Sequence, residues 1–159
     1  MCRQLAAAGA RVGVLDRKAD TAQAVADEVG GLALVADVGD TDALEAALAT
    51  ADAELGGLRG LVNNAGIGNL KRFESYTDRD VELIWKVNVT GVFAGIRAAA
   101  PLIRAAGGEA VVHTGDVSLM ATGRLRARQI DDLAELLSQH APDECFRVLL
   151  IHQDRKSTR

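Results

Sequence analysis

The sequence has few of the residues that build disulfide scaffolds or membrane spans. Its two cysteines, Cys2 and Cys145, stand far apart among 159 residues, which excludes a disulfide framework and indicates a reducing compartment. No apolar run approaches the roughly 18 residues of a transmembrane helix, and the start lacks the apolar core of a signal peptide. We therefore expect a cytoplasmic protein with no membrane association.

Basic residues are not in excess either. The formal net charge is −4, which argues against a nucleic-acid partner because such binding depends on neutralising phosphates. The three histidines have no ligand spacing, so no metal site is expected. Aromatic residues make up only 3% of the chain while glycine occurs 16 times, which favours an α/β protein over a β-sandwich. The length suits a single domain.

Short apolar runs alternate with helical patterns along the chain. Strands are predicted at 11–16, 32–37, 60–63 and 110–114, and helices from Asp20, from Asp40 or Thr41, from a cap between Ser75 and Asp80, and over 98–106. The strands are continuously apolar, which is typical of a parallel sheet covered on both faces. We therefore predict a three-layer, doubly wound α/β fold, in which ligands bind beyond the carboxyl ends of the strands.

Acidic residues end the first two predicted strands. Asp16 can accept hydrogen bonds from both ribose hydroxyls of an adenine nucleotide and would repel a 2′-phosphate, although Arg17 beside it weakens this preference. Asp37, followed by Val38, can accept from an adenine amino group. The alternative is structural, since Asp16 can instead cap the next segment and Asp37 can serve the turn before Gly39.

Two asparagine-bearing segments follow. Asn63-Asn64-Ala65-Gly66 comes after the third strand, and its small residues would let the backbone approach a ligand; by composition alone it is a turn. Asn88 lies in a predicted helix on the face of Ile84 and Trp85, where an amide is unfavourable and must find partners. An asparagine at a position that disfavours it suggests a functional site. The alternative is a core asparagine whose amide is hydrogen-bonded to the backbone.

Together these residues resemble the short-chain dehydrogenases/reductases. Asp16, Asp37-Val38, Asn63-Asn64-Ala65-Gly66 and Val87-Asn88-Val89-Thr90-Gly91 occur in the family's order and spacing, and the resemblance covers about residues 3–122. It implies a Rossmann-like fold, an NAD(P) cofactor and hydride transfer between nicotinamide and a small alcohol or ketone. It also implies a homo-oligomer for the complete family protein.

The resemblance assigns roles to these positions. Asp16 would hold the adenosine ribose, Asp37 and Val38 the adenine, and Asn64, Ala65 and Gly66 the cofactor through the backbone. In the family a tyrosine is the general acid/base, a lysine four residues later lowers its pKa, and the helix asparagine, here Asn88, supports a water relay to that lysine. The carboxylate of Asp16 favours NAD, with NADP less expected.

The sequence departs from the family pattern at three places. The glycine-rich phosphate loop would precede Asp16 by about 20 residues and so lie before Met1; the first strand and the pyrophosphate anchor are therefore expected to be absent. No Tyr-x-x-x-Lys occurs, since Asp80 stands four residues after Tyr76, the only tyrosine. Asp116 stands near the expected catalytic serine, which leaves Ser118 as the candidate. We therefore expect this chain to be inactive.

The third departure is that the resemblance ends near Thr122. Residues 1–122 are predicted to form a partial dinucleotide-binding domain. Residues 123–153 are unassigned, with a possible helix at 130–140 and a possible strand at 145–151. Residues 154–159 match the translation of a common sequencing adapter and are predicted to be an artefact.

Two other functions remain open from the sequence. A methyltransferase-like domain also uses acids after successive strands to hold an adenosyl group, but it does not explain Asn64 or Asn88. A non-enzymatic binding or dimerising remnant could use the apolar residues of 78–106, such as Val89, Val92 and Phe93. Losing an internal strand is expected to shorten the sheet and expose apolar faces, which predicts poor solubility or dependence on a partner.

Overall fold

The structure is a computed structural model, and it describes residues 1–68, 71–107, 112–114 and 147–151. Ser118, Asp116, the predicted helix at 130–140 and the proposed artefact at 154–159 lie outside the described residues. For 112–114 and 147–151 only the backbone is described below.

Helices and strands alternate as the apolar pattern predicts. The described elements are α1 (Cys2–Ala7), β1 (Arg11–Asp16), α2 (Ala19–Val29), β2 (Leu32–Val35), α3 (Thr41–Leu55), β3 (Gly60–Asn63), a 3-10 turn (Phe73–Ser75), α4 (Asp78–Trp85), a π-helical turn (Lys86–Thr90), α5 (Gly91–Ala105), β4 (Val112–Thr114) and β5 (Arg147–Ile151). The sequence predicts the bounds of β1 and β3, whereas β2 ends two residues early and α5 begins earlier than 98.

Helices cover both faces of the sheet, which confirms the three-layer α/β fold. On one face, α3 and α5 pack against the sheet around Leu15, Leu48 and Leu61. On the other, α1 and α2 pack around Val12, Val14 and other buried residues. β1 and β3 are buried between these two apolar layers, which explains why their sequences are continuously apolar.

Helix ends follow local chemistry, with one correction. Asp40 caps α3 by accepting from the Ala43 N–H at 3.1 Å, and α3 ends at Gly56 with φ +71°. The sequence predicts a helix that begins from Asp20 as its cap, and that cap is wrong. The N-cap is Lys18, whose backbone N–H donates to Asp16 Oδ1 at 2.9 Å, and Asp20 lies in the first turn, where a carboxylate still favours the helix dipole.

The strand at the carboxyl end of the sequence lies in the middle of the sheet. The order is β2-β1-β5-β3-β4, and all four pairings are parallel. Val148 is the register partner of Val12 in β1 and of Gly60 in β3. Among the described strands β5 thus occupies an internal position, between β1 and β3.

Candidate active site

Asp16 ends β1 at the carboxyl edge of the sheet. Its residue is only 1% exposed, and its Oδ1 accepts from the Lys18 backbone N–H. This contact stabilises the turn into α2, which is the structural role that the sequence analysis gives as the alternative to ligand binding. It leaves a buried carboxylate fixed at the edge where a doubly wound sheet binds ligands.

The loop after β2 brings Asp37 and Val38 to the same edge. Asp37 is exposed, and its Oδ1 accepts from the Gly39 N–H at 2.8 Å. Val38 is 6% exposed and packs into the core beside α5. Its side chain therefore anchors the loop, and only its backbone and the carboxylate of Asp37 can face a ligand.

The two asparagine-bearing segments contact each other directly. Asn88 Oδ1 accepts from the Ile67 backbone N–H at 2.8 Å, and Asn88 Nδ2 donates to the Ile67 carbonyl at 2.8 Å. Ile67 lies three residues after Asn64, in the segment that leaves β3. One side chain therefore satisfies both polar groups of one loop residue and fixes the path of Asn64-Ala65-Gly66.

The backbone around Asn88 forms a π-helical turn, Lys86–Thr90, between α4 and α5. Such turns are rare and occur often at functional sites. Directly after it, Gly91 lies against the loop after β2: a methyl group on Gly91 would lie 2.8 Å from the Val38 carbonyl oxygen. The absence of a side chain at Gly91 thus lets the helix approach Val38.

Asn63 has a second close approach to α5. It is 4% exposed, and within the described part of the chain its Nδ2 has no hydrogen-bond partner. A methyl group on Gly95 would lie 2.9 Å from Asn63 Oδ1. Gly95 therefore makes room for a buried amide at the end of β3, and this amide has donor capacity that the described residues do not use.

Tyr76 and Lys71 lie together, but not as an acid/base pair. Lys71 Nζ is 5.1 Å from the centre of the Tyr76 ring and 2.5 Å from Asp80 Oδ2. Lys71 and then Thr77, which forms a capping box with Asp80 at the start of α4, hold the pKa of Asp80 well below its usual 3.8. This cluster stabilises the beginning of α4.

Sequence reasoning missed two residues at this edge. Ile67 receives both hydrogen bonds of Asn88, yet nothing in its type marks it, because only its backbone takes part. Lys86 packs over Gly39, where an added methyl group would lie 3.0 Å from Lys86 Cε. No sequence motif links Gly39 with Lys86, so this contact could not be predicted.

Two features are absent from the part of the chain that the structure describes. No group of three or more histidine, cysteine, aspartate or glutamate residues is placed to hold a metal ion there. No helix in that part of the chain combines the length and apolarity needed to cross a bilayer.

Comparisons with known proteins identify the family. A family model described as short chain dehydrogenase matches residues 1–125. An inactive 2-(S)-hydroxypropyl-CoM dehydrogenase 2 from Xanthobacter autotrophicus is 41% identical over 123 residues, 74% of this chain and 52% of that protein. A galactitol 2-dehydrogenase from Cereibacter sphaeroides is 37% identical over 121 residues, 74% of this chain and 47% of that protein.

Solved structures agree with this assignment. A short-chain type dehydrogenase/reductase from Mycobacterium marinum superposes with a TM-score of 0.64 at 33% identity, covering 71% of this chain and 47% of that one. A 3-ketoacyl-(acyl-carrier-protein) reductase from Brucella melitensis, complexed with NADH, gives a TM-score of 0.69 at 28% identity, covering 87% and 59%. The chain spans about half the length of the curated relatives it matches. It belongs to the short-chain dehydrogenase/reductase family.

Proposed function

We propose that this chain is part of an NAD-dependent oxidoreductase acting on small alcohols or ketones, and that its sheet edge binds the dinucleotide. The observation that carries the proposal is the pair of hydrogen bonds from Asn88 to Ile67. These hydrogen bonds join the segment after β3 to the π-helical turn. Two motifs that are far apart in the sequence therefore line the same edge of the sheet, which is the edge where doubly wound α/β folds bind ligands.

The residues at this edge suit the adenosine half of a dinucleotide. In the proposal Asp16 accepts from the ribose hydroxyls, Asp37 and the backbone of Val38 receive the adenine, and the small side chains of Ala65 and Gly66 let the loop approach the cofactor. Asn64 and Gly66 are half-buried, so the backbone there is partly open to a ligand. Bound nicotinamide would supply the hydride chemistry, and the chain would position it.

Asn88 is a positioning residue in this proposal. Both polar ends of its side chain are engaged by Ile67, so it orients the loop after β3. A catalytic role for Asn88, through a water relay, and for Ser118 remains a prediction from the family resemblance. The 159 residues contain no Tyr-x-x-x-Lys. We therefore expect cofactor binding without hydride transfer, since the tyrosine–lysine pair that exchanges the proton in the family is not found in these residues.

A binding titration tests this function. Purified chain is titrated with NADH, NADPH and S-adenosylmethionine by calorimetry, and secondary alcohols are then offered with NAD. We expect NADH to bind most tightly and no oxidation above background. Preferential binding of S-adenosylmethionine would support the methyltransferase-like alternative, and oxidation of any alcohol would contradict the expected inactivity.

Replacing the carboxylate of Asp16 tests the preference for NAD. Asp16→Asn keeps an oxygen for the Lys18 N–H but removes the charge that binds hydroxyls and repels a 2′-phosphate. We expect NADH to bind about tenfold more weakly, which corresponds to about 1.4 kcal/mol, and NADPH to be affected less. Asp20→Asn, an equal charge change on an exposed residue of α2, is the control. Equal effects of the two variants on NADH binding would refute the assignment.

We further propose that the faces of α4 and α5 form a homo-oligomer contact. Large apolar side chains on these helices are exposed: Trp85 is 63% exposed and Phe93 71%, and Val81 and Leu83 also face solvent. Exposed apolar side chains of this size on two consecutive helices favour an interaction surface. The two isolated cysteines favour the expected cytoplasmic location.

A charge on this surface tests the contact. Phe93→Glu should convert an associated species to monomer, because burying an unpaired carboxylate in an apolar contact is unfavourable. Size-exclusion chromatography with light scattering over a concentration series measures the change. Phe73→Glu is the matched control, since Phe73 is 81% exposed but lies outside both helices. A wild-type chain that is monomeric at every concentration would contradict the proposal.

A further inference from the structure

Lys86 begins the π-helical turn and contacts the loop after β2 at Gly39. The same turn contacts the loop after β3 through Asn88, and directly after the turn Gly91 lies against the loop after β2. The turn and the glycine that follows it therefore join both loops at the carboxyl edge of the sheet. Lys86 supplies the contact that lies beside Asp37.

The turn from Asp37 to Asp40 is closed by two hydrogen bonds of its own. The Gly39 N–H donates to Asp37 Oδ1 at 2.8 Å, and the Asp40 N–H donates to the Asp37 carbonyl at 2.9 Å. These bonds tie the carboxylate of Asp37 to the backbone of Gly39. A group that fixes Gly39 therefore also fixes this carboxylate.

The methylene stem of Lys86 packs on Gly39. A methyl group added to Gly39 would lie 3.0 Å from Lys86 Cε, 3.1 Å from Lys86 Cγ and 3.2 Å from Asp37 Oδ1. Gly39 is buried, whereas Asp37 and Asp40 in the same turn are exposed, and Lys86 itself is exposed. The stem of a surface lysine thus covers the glycine, an arrangement that long charged side chains commonly adopt.

The main chain of Lys86 is anchored in the core. The next residue, Val87, is 4% exposed and belongs to the core cluster that contains Val38. The backbone of Lys86 cannot move far without displacing Val87 from a close-packed interior. The stem of Lys86 is therefore a fixed support for the turn at Gly39.

We propose that Lys86 is a positioning residue of the adenine pocket, whose stem holds the turn at Gly39 and so places the carboxylate of Asp37 against the 6-amino group of the base. The inference rests on the proposed function, in which Asp37 receives the adenine. A carboxylate accepts from an amino group and repels an oxygen. The stem of Lys86, and not its charge, therefore determines how strictly the site selects a 6-amino purine over a 6-oxo purine.

Two dinucleotides that differ only in the base test this inference. NADH and reduced nicotinamide hypoxanthine dinucleotide carry the same charge and the same nicotinamide, but the second has an oxygen in place of the 6-amino group. Calorimetric titration of the full chain measures both affinities. We expect the wild-type chain to bind NADH about tenfold more tightly. Asp37→Asn should lose most of this preference, because an amide can either accept from an amino group or donate to an oxygen.

Three variants at Lys86 separate the stem from the charge. Lys86→Ala removes both, Lys86→Met keeps most of the stem without the charge, and Lys86→Arg keeps a stem and a charge. We expect the preference for NADH to fall to about twofold in Lys86→Ala and to stay near about tenfold in the other two. Arg104→Met, in the last turn of α5, is the control for the loss of one exposed positive charge. Full preference in Lys86→Ala, or equal losses in Lys86→Ala and Lys86→Met, would overturn the inference.

Unfolding measurements test the contact without a dinucleotide. Gly39→Ala is introduced into the wild-type chain and into Lys86→Ala, and the two effects are compared. The entropy that the alanine removes from the unfolded chain is common to both and cancels. The added methyl group meets the stem only when Lys86 is present, so it should lower the folding equilibrium constant at least about threefold more in the wild-type chain. Equal effects in the two chains would overturn the inference.

The outcomes distinguish this inference from the proposed function. A wild-type chain that binds neither dinucleotide would contradict the proposed function, and the inference with it. A chain that binds NADH, but whose preference for NADH is unchanged in Lys86→Ala, would contradict the inference alone.

Discussion

Asn88→Asp is expected to destabilise the chain strongly and to weaken NADH binding with it. The wild-type amide donates from Nδ2 to the Ile67 carbonyl and accepts at Oδ1 from the Ile67 N–H, both at 2.8 Å. A carboxylate keeps the second contact but sets an anionic oxygen against the carbonyl. Losing a half-buried hydrogen bond and gaining this repulsion should reduce the free energy of unfolding by about 2–3 kcal/mol.

The pH dependence of the Asn88→Asp effect identifies its cause. Repulsion from the Ile67 carbonyl raises the pKa of the new carboxyl in the folded chain, and the protonated carboxyl can donate to that carbonyl again. The difference from wild type should therefore be largest at neutral pH, shrink as the pH falls through this raised pKa, and be smallest below about pH 4, the pKa of an aspartate in the unfolded chain. Asn88→Ala removes both hydrogen bonds without adding charge, and its smaller loss, about 1–2 kcal/mol, should not vary with pH. Denaturant unfolding at several pH values measures both. Equal, pH-independent losses would show that Asn88 does not hold Ile67 in this way.

Gly91→Ala should destabilise the chain more than an alanine at Gly39 or Gly95, the two other glycines that approach residues of the candidate site closely. The added carbon would lie 2.8 Å from the Val38 carbonyl oxygen and 3.2 Å from Val38 Cβ. Both contacts involve Val38, whose side chain is buried in the core, so α5 or the loop after β2 must shift. We expect a loss of about 1–3 kcal/mol in unfolding free energy, the usual range for overpacking.

The same variant should affect the site as well as the fold. Because Val38 is fixed between the core and Gly91, a displaced loop should also move Asp37 and weaken NADH binding. Gly68→Ala is the matched control, since a methyl group there meets nothing within 4 Å. Thermal unfolding and NADH titration measure the two effects. A Gly91→Ala chain as stable as the Gly68→Ala chain would show that the close approach to Val38 is absent.

The sequence predicts the local elements well because their signals are local. β1 and β3 are short apolar runs ending in polar residues, and Asp40 and Gly56 supply the ends of α3. The prediction at Asp20 fails because the helix begins after Lys18, whose backbone N–H donates to the side chain of Asp16. Helix-cap preferences do not include such a contact from the preceding strand. The early start of α5 depends on a π-helical turn, for which no residue preference is strong.

Long-range arrangement was less accessible from sequence. The unusual position of Asn88 marks a committed amide, but its partner is the backbone of Ile67, and a backbone group has no sequence signature. The residues of β5 predict a strand, yet periodicity does not specify its neighbours. Its place between β1 and β3 depends on which strands have backbone hydrogen-bonding groups without a neighbouring strand. That is a property of the whole sheet and not of the five residues.

Chemical-shift mapping of isotope-labelled chain with NADH tests the central claim most directly. We predict that the perturbed backbone amides cluster at the carboxyl edge of the sheet, at Asp16, Asp37 and Val38 and over 64–67, and that Asn88→Asp reduces these perturbations. Perturbations confined to the exposed faces of α4 and α5, or none at saturating NADH, would contradict the account.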